Sequence, residues 1–515
     1  MVVTPGTYSE SVVLTRSGDA AAPIVVRALP GALLACFEPW SSRAGIDVRQ
    51  DVAHIVVQGF ELVGGFGESV LVRPGAHDIE LSGLNIHDNR TGIWIAGAHH
   101  VTIGNSWIHD NAGVGVRLFG GARDVQVLDT RAQDNDDGLG CAGDADGFSA
   151  DATTADLRFE RVEASGNSED GFDLQTPHVA VVRAVIRNNG CSGLKLWAGG
   201  YLENTLIEGN RIGVNASAPP GSTTTVQNCT LADNAIGVRA LGRDHTVTVQ
   251  NSVITGPGKA LNYATTVWLR ERYNILYRPL LTDALIVPMG AENERRYSGN
   301  DINSGIWQQE SGQGEQTMAQ DPRLDPLTRQ PQPESAAIDS GGAEGSPAVD
   351  LIGVARPVGA GIDRGVFEWV PVESSARLRR ATLRTRADGS GRLSLQAEVT
   401  LPPSARFDPS ANGVMLSVEG DRGNVLQVGV APQDWSRRGA TVGQLLRMAR
   451  TDAAGHRVVL LLQAGLGRVL LSLHAESADL SALSGGALAL TIDSGAVHVT
   501  ASGPLRNIGR ALALR

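Results

Sequence analysis

Five side chains carry the chemistry this chain could perform: Asp146, Glu169, Asp170, Asp173 and Lys195. Four carboxylates drawn onto one face repel one another unless they are protonated or share a cation. An oxygen-only set of loose geometry suits a hard cation, and Ca²⁺ is the natural candidate. A lysine beside such a set can serve as a base, because desolvation or a neighbouring cation eases loss of its proton. Abstraction of an acidic C–H proton is the chemistry the two would share. Lysine is scarce here: of 44 basic side chains only Lys195 and Lys259 are lysines. An ordinary ion pair in so arginine-rich a chain would use Arg, so Lys195 points to a need to lose the proton.

These residues meet only if the chain stacks them. From residue 79 a unit recurs of short alternating strand, Asn, Gly and strand again, as in IELSGLNIHDN, VTIGNSWIHDN and LRFERVEASGN. The units end on Asn89, Asn111, Asn135, Asn167, Asn189, Asn210 and Asn234. Successive gaps are 22, 24, 32, 22, 21 and 24 residues, so about nine extra residues fall around Asp136 to Asp144. This period, with β-branched alternation and no helical pattern, predicts a parallel β-helix with one coil per repeat. The asparagines are expected to stack as a ladder at a corner, chosen because Asn caps local backbone and tolerates positive φ.

Aligned on the glycine that follows each Asn, the next strand alternates in and out. Its outward residues form a column: Trp94, Arg117, Ser149, Asp173, Lys195, Asn215 and Arg239. Neighbours in it should stand about 4.8 Å apart. Asp146, Glu169 and Asp170, just before their glycines, stack likewise. That brings the four carboxylates together over two adjacent coils, with Lys195 next in column after Asp173.

At these residues the chain resembles the family-nine polysaccharide lyases, which are pectate lyases and relatives. The motifs that carry the resemblance are Asp146-Gly147-Phe148, Asn167-Ser168-Glu169-Asp170-Gly171-Phe172-Asp173 and Gly193-Leu194-Lys195-Leu196-Trp197. The specific match spans about 100–200, and the β-helix likeness extends to roughly 370. The resemblance implies a right-handed parallel β-helix, Ca²⁺ on Asp146, Glu169, Asp170 and Asp173, and Lys195 as the base. It implies β-elimination on a uronate such as pectate: loss of the C5 proton, then departure of the C4 oxygen. Glu169 departs from the family, which usually has Asp there. Its extra methylene keeps an oxygen ligand but shifts the ion or weakens its binding. Arg117, Arg239, Trp94 and Trp197 are expected to face the sugar.

The remaining chain sets bounds. At 515 residues it exceeds one core. Residues 1–370 are expected to form the catalytic β-helix, with weaker coils over 1–78 and long loops over 265–330. A linker at 371–375 and a β-sandwich accessory domain at 376–515 follow, the latter alternating polar and apolar without the Asn-Gly period. A net charge of −11 argues against nucleic acid, and no apolar run is long enough for a membrane helix. No signal peptide is visible, and the abrupt strand-like start predicts a secreted protein trimmed ahead of residue 1. A monomer acting on an acidic polysaccharide is expected.

Cys36, Cys141, Cys191 and Cys229 are too few for a disulfide framework, and Cys141 and Cys191, two coils apart, should not reach each other without bending. The eleven His show no metal spacing; His99-His100 falls in a turn and His178 in a loop beside the site. Rival readings stay open. Lys195 could merely neutralise Asp173, the carboxylates could form a structural Ca²⁺ site, and Arg117 and Arg239 could be solvated. A glycoside hydrolase would need paired acids; Asp136-Asp137 or Glu169-Asp170 could be pressed into that role, but no Gly-His-Gly element accompanies them. An uronan epimerase or a non-enzymatic polysaccharide-binding surface protein would share the face.

Overall fold

The computed structural model describes residues 1–36, 44–279, 282–290 and 295–370, together with strands between 375 and 514. Two compact units divide it, Met1–Trp369 and Val370–Arg515. The first is an all-β right-handed parallel solenoid of about twelve turns. Each turn gives one strand to each of three sheets, with 12, 12 and 13 strands. Strands pair in parallel register with the coil above and the coil below. Ile79 lies beside Val101, Val101 beside Val125, and Val125 beside Leu157.

Alternation explains the core. Every second residue of a strand points inward, and the inward columns are aliphatic or Phe, almost wholly removed from water. Phe148, Phe159 and Phe172 pack as one aromatic group, with Phe148 and Phe172 stacked at 4.7 Å between ring centres.

The asparagine ladder forms from Asn89 to Asn234, all of it buried. Each backbone N–H donates to the side-chain carbonyl of the next Asn: Asn135 to Asn167 at 3.3 Å, Asn167 to Asn189 at 3.2 Å, Asn189 to Asn210 at 2.9 Å. Side-chain amides donate along the same row. The reason expected for Asn needs correcting in one respect. The left-handed residue at this corner is the one before the Asn: Asp88, Asp110, Asp134, Asn188 and Asp233 carry the positive φ. The ladder residues pair their amides along the row and cap local backbone as expected, Asn89 donating to His87 O at 2.7 Å and Asn210 to Glu208 O at 3.0 Å.

The corner glycines answer to a different constraint. A Cβ on Gly171 would stand 2.5 Å from the carbonyl oxygen of Gly193, and one on Gly147 2.7 Å from that of Gly171. Close approach of successive coils, rather than an unusual φ, excludes side chains there.

Two expectations fail. The solenoid does not give way to loops after residue 264: strands Trp268–Arg272, Ile275–Tyr277 and Ala284–Met289 continue the three sheets, and short helices Gly299–Asn303 and Ile306–Ser311 follow. The Asn-Gly signal had faded while the inward apolar alternation persisted. Cys141 and Cys191 also form a disulfide, with Cα atoms 5.7 Å apart. Cys141 belongs to no coil strand but to a 3₁₀ turn, Gly140–Ala142, in the inserted loop. Freed from the coil spacing, the loop crosses the intervening turn.

Downstream chain straps the solenoid. Asn204 donates to Val349 O at 2.6 Å and Asn251 to Gly342 O at 2.7 Å. Arg356 pairs with Glu368 at 2.8 Å, both side chains fully buried. In the second unit the strands from Ser375 to Leu514 pair antiparallel in one eleven-stranded order. Residues 371–374 of the expected linker, and most side chains that would show a sandwich core, lie outside the described residues.

The ladder gives a test. Asn167→Ala strands the buried N–H of Asn135 and should cost about 1–3 kcal/mol in urea unfolding of the solenoid. A loss below a few tenths of a kcal/mol would show the ladder to be incidental.

Candidate active site

Three strands of the third sheet build the site: Phe148–Ala150, Phe172–Leu174 and Ser192–Leu196. Their register sets Ser149 beside Asp173, Asp173 beside Lys195, and Lys195 beside Asn215. The whole column from Trp94 to Arg239 stands in the expected order.

Asp146 and Asp170 sit on the tight corner before their glycines and are buried. Each spends one oxygen on the next coil. Asp146 Oδ1 accepts from Asp170 N at 3.1 Å, and Asp170 Oδ1 from Ser192 N at 2.6 Å. The backbone of one coil thus fixes the carboxylate of the coil before it. With Glu169, these residues offer three carboxylate oxygens within 4.8 Å of one another, the sole such group of three or more His, Cys, Asp or Glu among the described residues.

Asp173, expected as a fourth ligand, is turned aside: its Oδ1 accepts from Trp197 Nε1 at 2.6 Å. Lys195 also pairs differently from the rival reading. Its Nζ lies 2.5 Å from Asp170 Oδ2 and 3.6 Å from Glu169 Oε1, so its ion pairs are with those carboxylates rather than with its column neighbour Asp173.

Electrostatics follow from burial and crowding. Desolvation, then the charges of Asp170, Asp173 and Glu169, hold the Asp146 carboxyl well above the usual range. Glu169 is pushed up to about 7, first by burial and then by Asp170. Burial raises Asp173 too, against the pull of Lys195 and the Trp197 hydrogen bond. Burial works to lower the Lys195 ammonium, but the hydrogen bond and charge of Asp170, with Asp173 and Glu169, outweigh it and raise the group.

The residues fit a hard cation. Asp170 Oδ2 is buried without a hydrogen bond of regular geometry, and what faces it is the Lys195 ammonium. All the converging donors are oxygens, as Ca²⁺ prefers.

Of the expected sugar contacts, Trp197 is exposed and walls a groove of about 630 Å³ with Gln175, Pro177 and Pro219. Arg117 is tied to Asp144 at 2.5 Å and lies 5.5 Å over the Trp94 ring. Arg239 stands two coils beyond Lys195, between Asn215 and Asn262. Sequence reading missed Asp144, whose charge acts on both Glu169 and Asp173. Its one signal was the break in the period. The loop that carries it is anchored by the Cys141–Cys191 disulfide.

A family model described as "Right handed beta helix region" matches residues 40–150 and 142–276. Among solved structures the chain is similar to pectate lyase Pel9A, with 19% identity over 72% of this chain and 87% of that one, at a TM-score of 0.43. It is similar to an alginate lyase from Paenibacillus sp. str. FPU-7, with 17% identity over 52% of this chain and 91% of that one, TM-score 0.37. It is also similar to the A-module of the mannuronan C-5 epimerase AlgE6 of Azotobacter vinelandii, with 16% identity over 53% and 92%, TM-score 0.30. No curated protein matches. The chain resembles pectate lyase-type parallel β-helix proteins, and likeness at this level is one of fold alone.

Metal binding should follow the charge set. Asp146→Asn keeps an acceptor for Asp170 N but removes a charge, and should weaken Ca²⁺ binding at least about tenfold by calorimetry. Binding should also fall as pH drops through about 7, where Glu169 takes up a proton. Without the ion the sign for stability is opposite. Folded Glu169 holds its proton above the ordinary 4.5, so stability should decline as pH rises from there to about 7. A pH-independent affinity would contradict the assignment.

Proposed function

We propose that the protein is a secreted, Ca²⁺-dependent polysaccharide lyase that cleaves an acidic, uronate-containing polysaccharide by β-elimination. The observation that carries this reading is Lys195, set against buried Asp170 and Glu169 with its Nζ 5.9 Å from the ring centre of Trp197.

Asp146, Glu169 and Asp170 would hold the cation, with Asp173 in reach once it leaves Trp197. When bound, Ca²⁺ supplies positive charge against the uronate carboxylate and the enolate-like charge that develops beside it. Lys195, released from Asp170, takes the C5 proton. The C–H electron pair becomes the C4=C5 double bond, the C4–O bond breaks, and the departing oxygen receives a proton from solvent. Only neutral Lys195 can do this, and the carboxylates work against neutrality. The rate should therefore climb with pH into the alkaline range. Trp197 offers a stacking face for a sugar ring, and Arg117 and Arg239 offer positive charge to neighbouring uronates along the column.

Secretion is supported by the Cys141–Cys191 disulfide, which belongs to an oxidising compartment. The antiparallel strands after Ser375 support a β-sandwich accessory domain, and we take the protein to be a monomer.

The test is a panel of uronans followed by the ultraviolet absorbance of the 4,5-unsaturated product. Activity should require Ca²⁺ and vanish in excess chelator. Lys195→Arg keeps the positive charge but is very hard to deprotonate, and should lose about 10²–10⁴-fold in turnover while folding and Ca²⁺ binding persist. Lys259→Arg should be silent. Chain cleavage without the absorbance would mean a hydrolase, and substantial turnover by Lys195→Arg would remove Lys195 as the base.

A further inference from the structure

The strands that build the candidate active site run out into the groove of about 630 Å³ that Trp197 walls. Gln175 follows Phe172–Leu174, Trp197 follows Ser192–Leu196 and Pro219 follows Ile212–Ala218, and all three line it. Gln175 and Trp197 stand two residues beyond Asp173 and Lys195, about 7 Å further along each strand. The groove therefore lies to one side of the column, which runs from coil to coil.

Its chemistry differs from that of the column. The column carries Arg117, Asp173, Lys195 and Arg239, whereas no residue lining the groove is charged. Trp197, Pro177 and Pro219 are exposed and present apolar faces, and Gln175 and Ser222 supply an amide and a hydroxyl. Trp197 belongs to both regions. Its Nε1 donates to Asp173 Oδ1 at 2.6 Å, and Lys195 Nζ lies 5.9 Å from its ring centre.

A uronate placed in the groove would find no cationic side chain among the lining residues to pair with its carboxylate. A neutral sugar suits the lining. Its C–H faces pack on indole and proline rings, while its hydroxyls exchange hydrogen bonds with the amide and the hydroxyl. The volume falls within the range of about 300–1,000 Å³ usual for small-molecule sites.

We propose that this groove takes a neutral sugar branch carried by the acidic main chain close to the bond that breaks, so that the substrate is a branched uronan. The inference rests on the lyase reading, in which main-chain uronates follow the arginines of the column. A groove lateral to that path receives a branch rather than the next residue of the main chain. Trp197 couples the two, because an occupant stacked on its ring sits beside Asp173 and Lys195. The rival is a bare surface, to which linear and branched chains are alike.

The test compares kcat/KM, in Ca²⁺, on linear polygalacturonate and on a galacturonan bearing single xylose branches, each followed by absorbance of the unsaturated product. We expect the branched polymer to be favoured at least about fivefold, the scale of one or two hydrogen bonds with stacking. Gln175→Ala/Ser222→Ala should erase that preference and leave the linear polymer unchanged. Both residues are at the surface; if circular dichroism shows the double variant misfolded, Ala152→Trp, which narrows the groove, is compared instead. Equal kcat/KM on the two polymers, or a preference that survives the variant, would overturn the proposal. If neither polymer is cleaved, the lyase reading fails on galacturonans and the groove is judged by affinity electrophoresis in the same polymers. Retardation greater in the branched gel and lost in the variant supports the branch site, and equal or no retardation overturns it.

Discussion

Everything in the solenoid rests on the spacing between coils. Once strands stack at about 4.8 Å, a residue type repeated every 21–24 positions becomes a continuous column, and chemistry scattered along the chain becomes local. The buried amide ladder from Asn89 to Asn234 holds that spacing at one corner, and the glycines beside it let the coils close. The same approach places the N–H of Asp170 on the carboxylate of Asp146, and that of Ser192 on Asp170. The site is therefore an extension of the packing rule of the fold.

That geometry carries an electrostatic cost. Buried carboxylates on adjacent coils raise one another, and Lys195 compensates only in part from one side. Charges buried this way are costly unless a partner or a cation shares them. Their concentration beside Lys195 supports the reading of a place kept for a cation. The inserted loop adds Asp144 to the same field while the disulfide holds it in place.

The sequence made the solenoid legible because period and alternation are one-dimensional records of coil length and strand facing. The column from Trp94 to Arg239 could be read for the same reason. What could not be read lay off the repeat. Cys141 escapes the coil register inside an insertion, so counting coils put it too far from Cys191. The turn of Asp173 toward Trp197 and of Lys195 toward Asp170 depends on side-chain torsions, which no periodicity fixes. The coils beyond residue 264 were hidden because their corners lost Asn and Gly while their inward apolar residues remained.

The central claim is that Asp146, Glu169 and Asp170 are a cation site whose occupant frees Lys195. A crystal structure determined in millimolar Ca²⁺ tests it directly. The prediction is an ion at about 2.3–2.6 Å from oxygens of all three carboxylates, with Lys195 Nζ moved off Asp170. A site that stays without an ion under those conditions, with the Lys195–Asp170 pair intact at 2.5 Å, would contradict it.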